Sequence, residues 1–256
     1  MAHHSLADRR VVITGGSAGI GAAAAALFEE RGARVVVAAR TQPATPYAGT
    51  FISADVSTAA GVEQLASRAV EVLGGVDVLI NNAGSQSHVP DGVLAMGDDI
   101  WLRDLNLNLM AAVRLDRALL PAMMAQRNGV ILHVTSGQAR LPGPGALPYA
   151  AAKAALTTYS KGLANEVGPQ GIRVNVVVPG LIVTAASERR LAERAEASGT
   201  DYGAELERTV DALGIPLRRA GRAGEVAELL AFLASESGSY ITGSQYVVDG
   251  GALPTV

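Results

Sequence analysis

A tyrosine and a lysine four residues apart, Tyr149 and Lys153, stand at the start of a predicted helix. Because residues i and i+4 share one face of a helix, the phenol and the ammonium group are expected to be neighbours. A free phenol has a pKa of about 10 and is a poor base at neutral pH, but a nearby cation lowers that pKa. The pair therefore predicts a general acid or base for a carbonyl or alcohol oxygen.

Ser136 precedes Tyr149 by thirteen residues and directly follows a predicted strand. Open α/β sheets bind ligands at the carboxyl ends of their strands, and a hydroxyl there donates to an oxygen that gains negative charge. The segment between the two residues has three prolines and three glycines, which predicts a shaped loop. Within that loop, Leu141 and Leu147 either line an apolar substrate wall or pack inward.

A glycine-rich segment, TGGSAGIG, connects the first predicted strand to the first predicted helix. Gly15 permits a tight turn, Gly19 lets backbone approach a pyrophosphate, and Gly21 allows close packing of helix on strand. The helix N-terminus offers N–H groups and a partial positive charge to an anion. The spacing predicts a dinucleotide site that includes Ser17 and Ile20, and an ordinary strand-to-helix turn is the alternative.

About twenty residues after such a loop, dinucleotide-binding folds place the group that reads the ribose 2′ position. An acid there accepts hydrogen bonds from the NAD hydroxyl, whereas an arginine accommodates the 2′-phosphate of NADP. Arg40 directly follows the second predicted strand, and no acid stands beside it. This favours NADP(H) over NAD(H); the alternative is an arginine that only ends a strand at the surface.

Short apolar segments alternate with longer helical segments along the chain. Runs such as VVV and VILHV lack strict alternation, as expected of parallel strands covered by helices on both faces. The order predicts right-handed crossovers and an α/β, doubly wound, seven-stranded, mostly parallel sheet. The predicted strands are residues 10–13, 34–38, 50–54, 76–80, 130–135, 173–178 and 245–248. The predicted helices are residues 20–30, 59–73, 98–126, 148–168 and 223–234.

Residues 185–222 interrupt this alternation with a strongly charged segment that predicts one or two short, exposed helices. A long segment beside the carboxyl ends of strands is a usual place for a substrate lid, and a solvated excursion is the alternative. No linker divides the chain. Residues 1–256 are therefore predicted to form a single dinucleotide-binding catalytic domain with this lid inserted.

Composition excludes several classes of protein. The net charge is −3 with no basic cluster, so no nucleic-acid partner is expected. There is no cysteine, and no histidine–carboxylate spacing indicates a metal. No apolar segment predicts a signal peptide or membrane span, which leaves a cytoplasmic location as the expectation.

Taken in order, these segments resemble the short-chain dehydrogenase/reductase family over nearly the whole chain. Further matches follow the strands: an adenine-contacting pair, an NNAG motif, a segment that holds the nicotinamide amide, and a C-terminal strand used in subunit contacts. The residues matched are Asp55 and Val56, then Asn81, Asn82, Ala83 and Gly84, then Pro179, Gly180, Ile182 and Thr184, then the stretch 240–251.

The resemblance implies a Rossmann fold, a homotetramer and four catalytic residues. Tyr149 would exchange a proton with the substrate oxygen, while Lys153 would bind the nicotinamide ribose and lower the pKa of the tyrosine. Ser136 would orient the carbonyl. Asn108, seven residues after Trp101, would hold a proton-relay water, with Asn106 as a competing candidate.

The function expected is hydride transfer between NADP(H) and the carbonyl or alcohol carbon of a small molecule. A 3-oxoacyl-(acyl-carrier-protein) reductase is a specific alternative, with Arg140, Arg189 or Arg190 available to dock an acidic carrier. A nucleotide-binding regulatory protein without catalysis is a more remote alternative. A lyase or epimerase of related fold is disfavoured, because those relatives have a different glycine spacing and a longer C-terminal domain.

Overall fold

The computed structural model describes residues 5–43 and 49–254, and the rest of the predicted domain lies outside the described residues. Seven strands form one sheet in the order β3-β2-β1-β4-β5-β6-β9, and every neighbouring pair is parallel. This confirms the predicted α/β, doubly wound Rossmann fold. The strands of the sheet are β1 (Arg10–Thr14), β2 (Arg34–Ala39), β3 (Thr50–Ser53), β4 (Val78–Asn81), β5 (Gly129–Val134), β6 (Ile172–Pro179) and β9 (Gln245–Val248).

Helices cover both faces of the sheet, which is why its central strands are apolar throughout and not alternating. One core layer joins the sheet to α2, α4 and α5, and the other joins it to α1 and α8. The helices are α1 (Gly19–Glu30), α2 (Ala59–Leu73), α3 (Asp98–Leu105), α4 (Ala111–Gln126), α5 (Leu147–Val167), α6 (Ala185–Ala197), α7 (Tyr202–Ala212) and α8 (Ala223–Ala234).

The helix predicted over residues 98–126 is divided by a π-helical segment, Asn106–Met110, between α3 and α4. Within this segment the side chain of Asn108 donates to the carbonyl of Asp104 at 3.0 Å. A side chain that takes the carbonyl of residue i−4 competes with the backbone N–H for it. Periodicity alone does not report such a local widening, so the sequence predicted one uninterrupted helix.

The segment 185–222 contains α6, α7 and a two-residue strand, β8 (Gly221–Arg222), that pairs with β7 (Ile182–Val183). Glu205 of α7 is buried, and its carboxylate forms ion pairs with Arg194 of α6 at 2.6 Å and Arg208 at 2.9 Å. The pair with Arg194 links α7 to α6, and the pair with Arg208 lies within α7.

Two further observations concern the described part of the chain only. None of its helices combines the length and apolar character needed to span a lipid bilayer. No cluster of three or more histidine, aspartate or glutamate side chains within it is arranged to hold a metal ion.

Candidate active site

A cavity of about 520 Å³ opens at the carboxyl edge of the sheet, where the loops after β1, β4, β5 and β6 meet. These loops converge because parallel strands all end at the same edge. Most of the predicted site residues line it: Gly15, Gly19, Ile20, Asn82, Ala83, Gly84, Ser136, Tyr149, Lys153, Pro179, Gly180, Ile182 and Thr184. Six predicted residues do not line it: Ser17, Gly21, Arg40, Asp55, Val56 and Asn108.

The glycine loop forms one end of this cavity. Gly15 adopts a positive φ of 69°, and its N–H donates to the carbonyl of Ala38 at 2.8 Å, so the chain turns sharply out of β1. A Cβ at Gly21 would lie 2.3 Å from the Gly15 oxygen, so only glycine allows this helix to pack so closely. Gly21 therefore supports the loop from below and does not face the cavity.

The first turn of α1 is open to a ligand. Its N-cap residue, Ala18, makes no side-chain hydrogen bond to the helix, and the first turn carries no acidic side chain. The leading N–H groups of a helix have no intrahelical acceptor and carry a partial positive charge. An uncapped N-terminus that lines a cavity fits the phosphates of a dinucleotide.

Asn82 and Thr14 tie the loop after β4 to the glycine loop. The amide of Asn82 donates to the Thr14 carbonyl at 2.9 Å, and the Thr14 hydroxyl accepts from the backbone N–H of Asn82 and Ala83, both at 3.0 Å. These bonds fix the distance between the two loops, and they use Thr14, whose role the sequence did not predict.

Tyr149 is half-buried, lines the cavity and forms a hydrogen bond with Ser136. Burial raises the pKa of Tyr149 above its ordinary value, and the Ser136 hydrogen bond and the charge of Arg190 oppose part of that rise. The net shift in the protein alone is therefore upward, and Lys153 is not among its causes, so the lowering expected from the lysine stays a prediction. Tyr149 is thus protonated at neutral pH.

Lys153 is buried, and its Nζ donates to the carbonyl of Val134 at 2.9 Å and lies 5.9 Å from the centre of the Tyr149 ring. Burial lowers the pKa of Lys153 to about 8. A Cβ at Gly84 would come within 3.1 Å of this Nζ, so the NNAG glycine leaves room for the ammonium group. The helical spacing does bring phenol and lysine together, as predicted.

Asn108 lies directly beneath the loop that carries Gly84. Its amide donates to the Ser85 carbonyl at 2.9 Å, and its oxygen accepts from the Ser85 N–H at 3.2 Å. Asn106 instead accepts from Arg114 at 2.9 Å. Of the two candidates, Asn108 is the one next to the cavity.

Arg40 is exposed at the end of β2, and its charge contributes to lowering the pKa of Asp55, behind the larger effect of hydrogen bonds from Ser57. Val56, beside Asp55, is buried in the core. Arg40, Asp55 and Val56 therefore lie along the same carboxyl edge of the sheet, beyond the cavity and next to the glycine loop. This is where the adenosine half of a dinucleotide lies in a Rossmann fold.

Several lining residues were not identified from the sequence. Gln138 donates to the side chain of Gln86 at 3.1 Å, which makes an amide pair in the cavity wall, while its own carbonyl oxygen is buried with no hydrogen-bond partner. The carboxylate of Asp249 accepts from the Leu253 N–H at 2.8 Å and folds the C-terminal tail against the cavity. No local pattern reports the contact between Gln86 and Gln138, because it joins residues from separate segments.

The residues considered for docking an acidic partner differ in their surroundings. Arg190 of α6 is exposed and lines the cavity, whereas Arg140 donates to Gln245 at 2.7 Å. Leu141 lines the cavity, and Leu147 does not.

Comparison with known proteins agrees with this geometry. A family profile described as enoyl-(acyl carrier protein) reductase matches residues 15–252. The 3-oxoacyl-(acyl-carrier-protein) reductase FabG of Salmonella typhimurium is 35% identical over 96% of this chain and 98% of its own length. L-sorbose reductase from Gluconobacter frateurii, solved with NADPH and L-sorbose, superimposes with a TM-score of 0.93 at 35% identity, over 99% of this chain and 100% of that one. Ligand-free aldohexose dehydrogenase of Thermoplasma acidophilum superimposes with a TM-score of 0.88 at 29% identity, over 98% and 97% of the two chains.

Proposed function

Because the chain belongs to the short-chain dehydrogenase/reductase family and is an NAD(P)-dependent oxidoreductase, we propose that it reduces the carbonyl group of a small molecule with NADPH, or oxidises the corresponding alcohol. The observation that carries the proposal is a single cavity with two ends. One end has the hydrogen-bonded pair Tyr149 and Ser136 beside Lys153, and the other has the uncapped N-terminus of α1.

The chain's own groups would handle the proton. The hydroxyls of Ser136 and Tyr149 converge, so both can donate to one carbonyl oxygen and stabilise the negative charge that develops there. Tyr149 is protonated at neutral pH and then transfers its proton to that oxygen as a general acid. Lys153, mostly charged below its pKa of about 8, stabilises the phenolate that remains.

A nicotinamide dinucleotide would supply the hydride. The residues proposed to hold it are the glycine loop, the α1 N-terminus, Asn82, Ala83 and Gly84 after β4, Lys153, and the segment from Pro179 to Thr184, with Asp55 and Val56 toward the adenine. Asn108 fixes the loop at Ser85 and is the proposed anchor of a proton-relay water.

Two features of the cavity lining favour two different substrate classes. The amide pair of Gln86 and Gln138 in the cavity wall favours a carbonyl compound that carries hydroxyl groups, and the structural likeness to a reductase solved with L-sorbose supports that choice. The exposed cation of Arg190 at the mouth, together with the likeness to FabG, supports a 3-oxoacyl thioester on an acidic carrier.

The deciding experiment measures NADPH and NADH oxidation with ketoses, simple ketones and 3-oxoacyl thioesters under identical conditions. Turnover of any carbonyl compound supports the proposal, and the ratio of kcat/KM values between ketose and thioester assigns the class. Binding of NADPH without turnover of any compound, in either direction, would instead favour the non-catalytic regulator.

Replacing Arg40 with aspartate is expected to raise the KM for NADPH roughly 10- to 100-fold, since a charge-assisted contact to a phosphate is worth about 1.5–3 kcal/mol. The KM for NADH should stay within about threefold. Arg68→Asp makes the same charge change at an exposed ion pair on α2 and should alter neither value. A wild-type preference for NADH would contradict the proposed role of Arg40.

The segment 185–222 is proposed as a substrate lid, because Ala186, Ser187 and Arg190 from its start line the cavity. Assembly into a homotetramer and a cytoplasmic location remain predictions from the sequence. The edge strand β9, with Val247 exposed, and the fully exposed Tyr240 offer surface for subunit contacts.

A further inference from the structure

A fully buried polar network lies on the α4 and α5 face of the sheet, separate from the cavity. At its centre, the carboxylate of Asp116 in α4 accepts from the amide of Asn81 at 2.8 Å, and its second oxygen lies 3.0 Å from Nε2 of His133. The other ring nitrogen of His133 lies 3.0 Å from the hydroxyl of Ser160. None of these four residues lines the cavity.

Tyr159 closes the network from α5. Its hydroxyl is hydrogen-bonded to Asp116, whose charge, together with burial as the larger cause, raises the pKa of Tyr159 above its ordinary value. Its ring lies 5.8 Å from the His133 ring, centre to centre. Hydrogen-bonded partners thus surround the buried aspartate and histidine on several sides.

The members of the network come from the same elements that carry the proposed catalytic residues. Asn81 ends β4 and immediately precedes Asn82 of the NNAG motif. His133 lies in β5 next to Val134, whose carbonyl accepts from Lys153. Asp116 lies in α4, which continues the helical segment of Asn108, and Ser160 lies in α5, two turns beyond Lys153.

Stability alone is a poor explanation for such a network. Removing an ionised aspartate from water is costly, and apolar residues of similar volume often do as well or better at such positions. Hydrogen bonds, unlike apolar contacts, are directional, so they fix the relative registry of the elements they join. Here they join two strands and two helices, directly behind the cavity.

We propose that Asp116, His133, Ser160 and Asn81 are positioning residues, which hold β4, β5, α4 and α5 in the registry that hydride and proton transfer require. The inference rests on the proposed function. Of the four residues, His133 connects the network most directly to the catalytic lysine. A shift of β5 against α5 would stretch the hydrogen bond between Lys153 and the Val134 carbonyl. A misplacement of about 1 Å at reacting groups can cost roughly 10²-fold in rate.

The test compares Asp116→Ala with Asp116→Asn. The alanine variant should lower kcat per folded molecule roughly 10- to 100-fold, because a misplacement of reacting groups by about 1 Å can cost about 10²-fold in rate. Its Kd for NADPH should stay within about threefold. A primary isotope effect with NADPH deuterated at the transferred position should rise, because hydride transfer becomes slower than the other steps. Asn accepts from Asn81 and donates to the other histidine tautomer, so Asp116→Asn should retain kcat within about threefold.

Asp77→Ala is the matched control, because Asp77 pairs with Arg10 at 2.6 Å at the opposite, amino-terminal edge of the sheet. It should lower the Tm while leaving kcat and the isotope effect unchanged. If Asp116→Ala behaves in the same way, or if Asp116→Asn loses as much kcat as the alanine variant, the proposal is wrong.

Ser160→Ala removes only the hydroxyl that partners the second ring nitrogen of His133. This milder variant replaces Asp116→Ala in the test if the latter is insoluble. A several-fold lower kcat with a higher isotope effect supports the proposal, and an unchanged kcat overturns it. The wild-type protein is assayed in parallel. An inactive wild type would reject the proposed function, whereas an active wild type with unaffected variants would reject only the positioning role.

Discussion

Replacing Tyr149 with phenylalanine is expected to lower kcat for carbonyl reduction roughly 10²- to 10⁴-fold, the range typical of a lost general acid. The substitution removes one hydroxyl, the group that pairs with Ser136 in the cavity. NADPH binding, measured by fluorescence titration, should change by no more than about threefold, since the uncapped helix and the glycine loop lie at the other end of the site.

Tyr246→Phe is the control for this change, because it removes a tyrosine hydroxyl from the edge strand β9, outside the cavity lining. Its kcat should equal that of the wild type. Near-normal turnover in Tyr149→Phe would reject the proposed mechanism, even if the protein proves to be a reductase.

The direction of the pKa shift of Tyr149 adds a pH dependence. Reduction needs the protonated phenol, which the raised pKa provides at neutral pH. Oxidation of an alcohol needs the phenolate, so its rate should increase as pH rises above neutral. The two directions of one reaction should therefore have opposite pH profiles when each is measured with saturating cofactor.

Replacing Lys153 with methionine is expected to lower activity by about 10²-fold or more and also to change stability with pH. Burial lowers the pKa of Lys153 from 10.5 to about 8, so keeping it charged costs up to about 3 kcal/mol below pH 8. Methionine fills a similar volume without charge. Near pH 7 the variant should therefore lose little stability even though it loses most of its activity. The removal of the buried charge offsets the loss of the hydrogen bond from Lys153 to the Val134 carbonyl.

The sign of the pH effect follows from proton binding. Between about pH 8 and 10.5 the unfolded chain holds a proton on Lys153 that the folded chain does not, so raising pH favours folding. The free energy of unfolding of the wild type should rise by up to about 3 kcal/mol relative to Lys153→Met across this window, in parallel urea titrations. Lys161→Met, an exposed change on the same helix, is measured in parallel; an equal trend in both variants would contradict the assignment to Lys153.

Local spacing in the sequence determined much of this protein. Glycine was required at position 15, where φ is positive, and at position 21, where a Cβ would meet the Gly15 oxygen. The i, i+4 relation placed Tyr149 and Lys153 side by side, because helical geometry fixes that neighbourhood without tertiary contacts. Apolar runs likewise predicted parallel strands covered on both faces, since burial on both faces leaves no polar alternation.

Only the tertiary structure decided how these groups are tuned. The pKa of Tyr149 depends on how much of the folded chain surrounds it, and that burial raises it above its ordinary value. The amide pair of Gln86 and Gln138 and the network around Asp116 join residues far apart in the chain. Spacing reports which residues are neighbours along one element, but burial and contacts between elements arise only when the whole sheet and its helices pack.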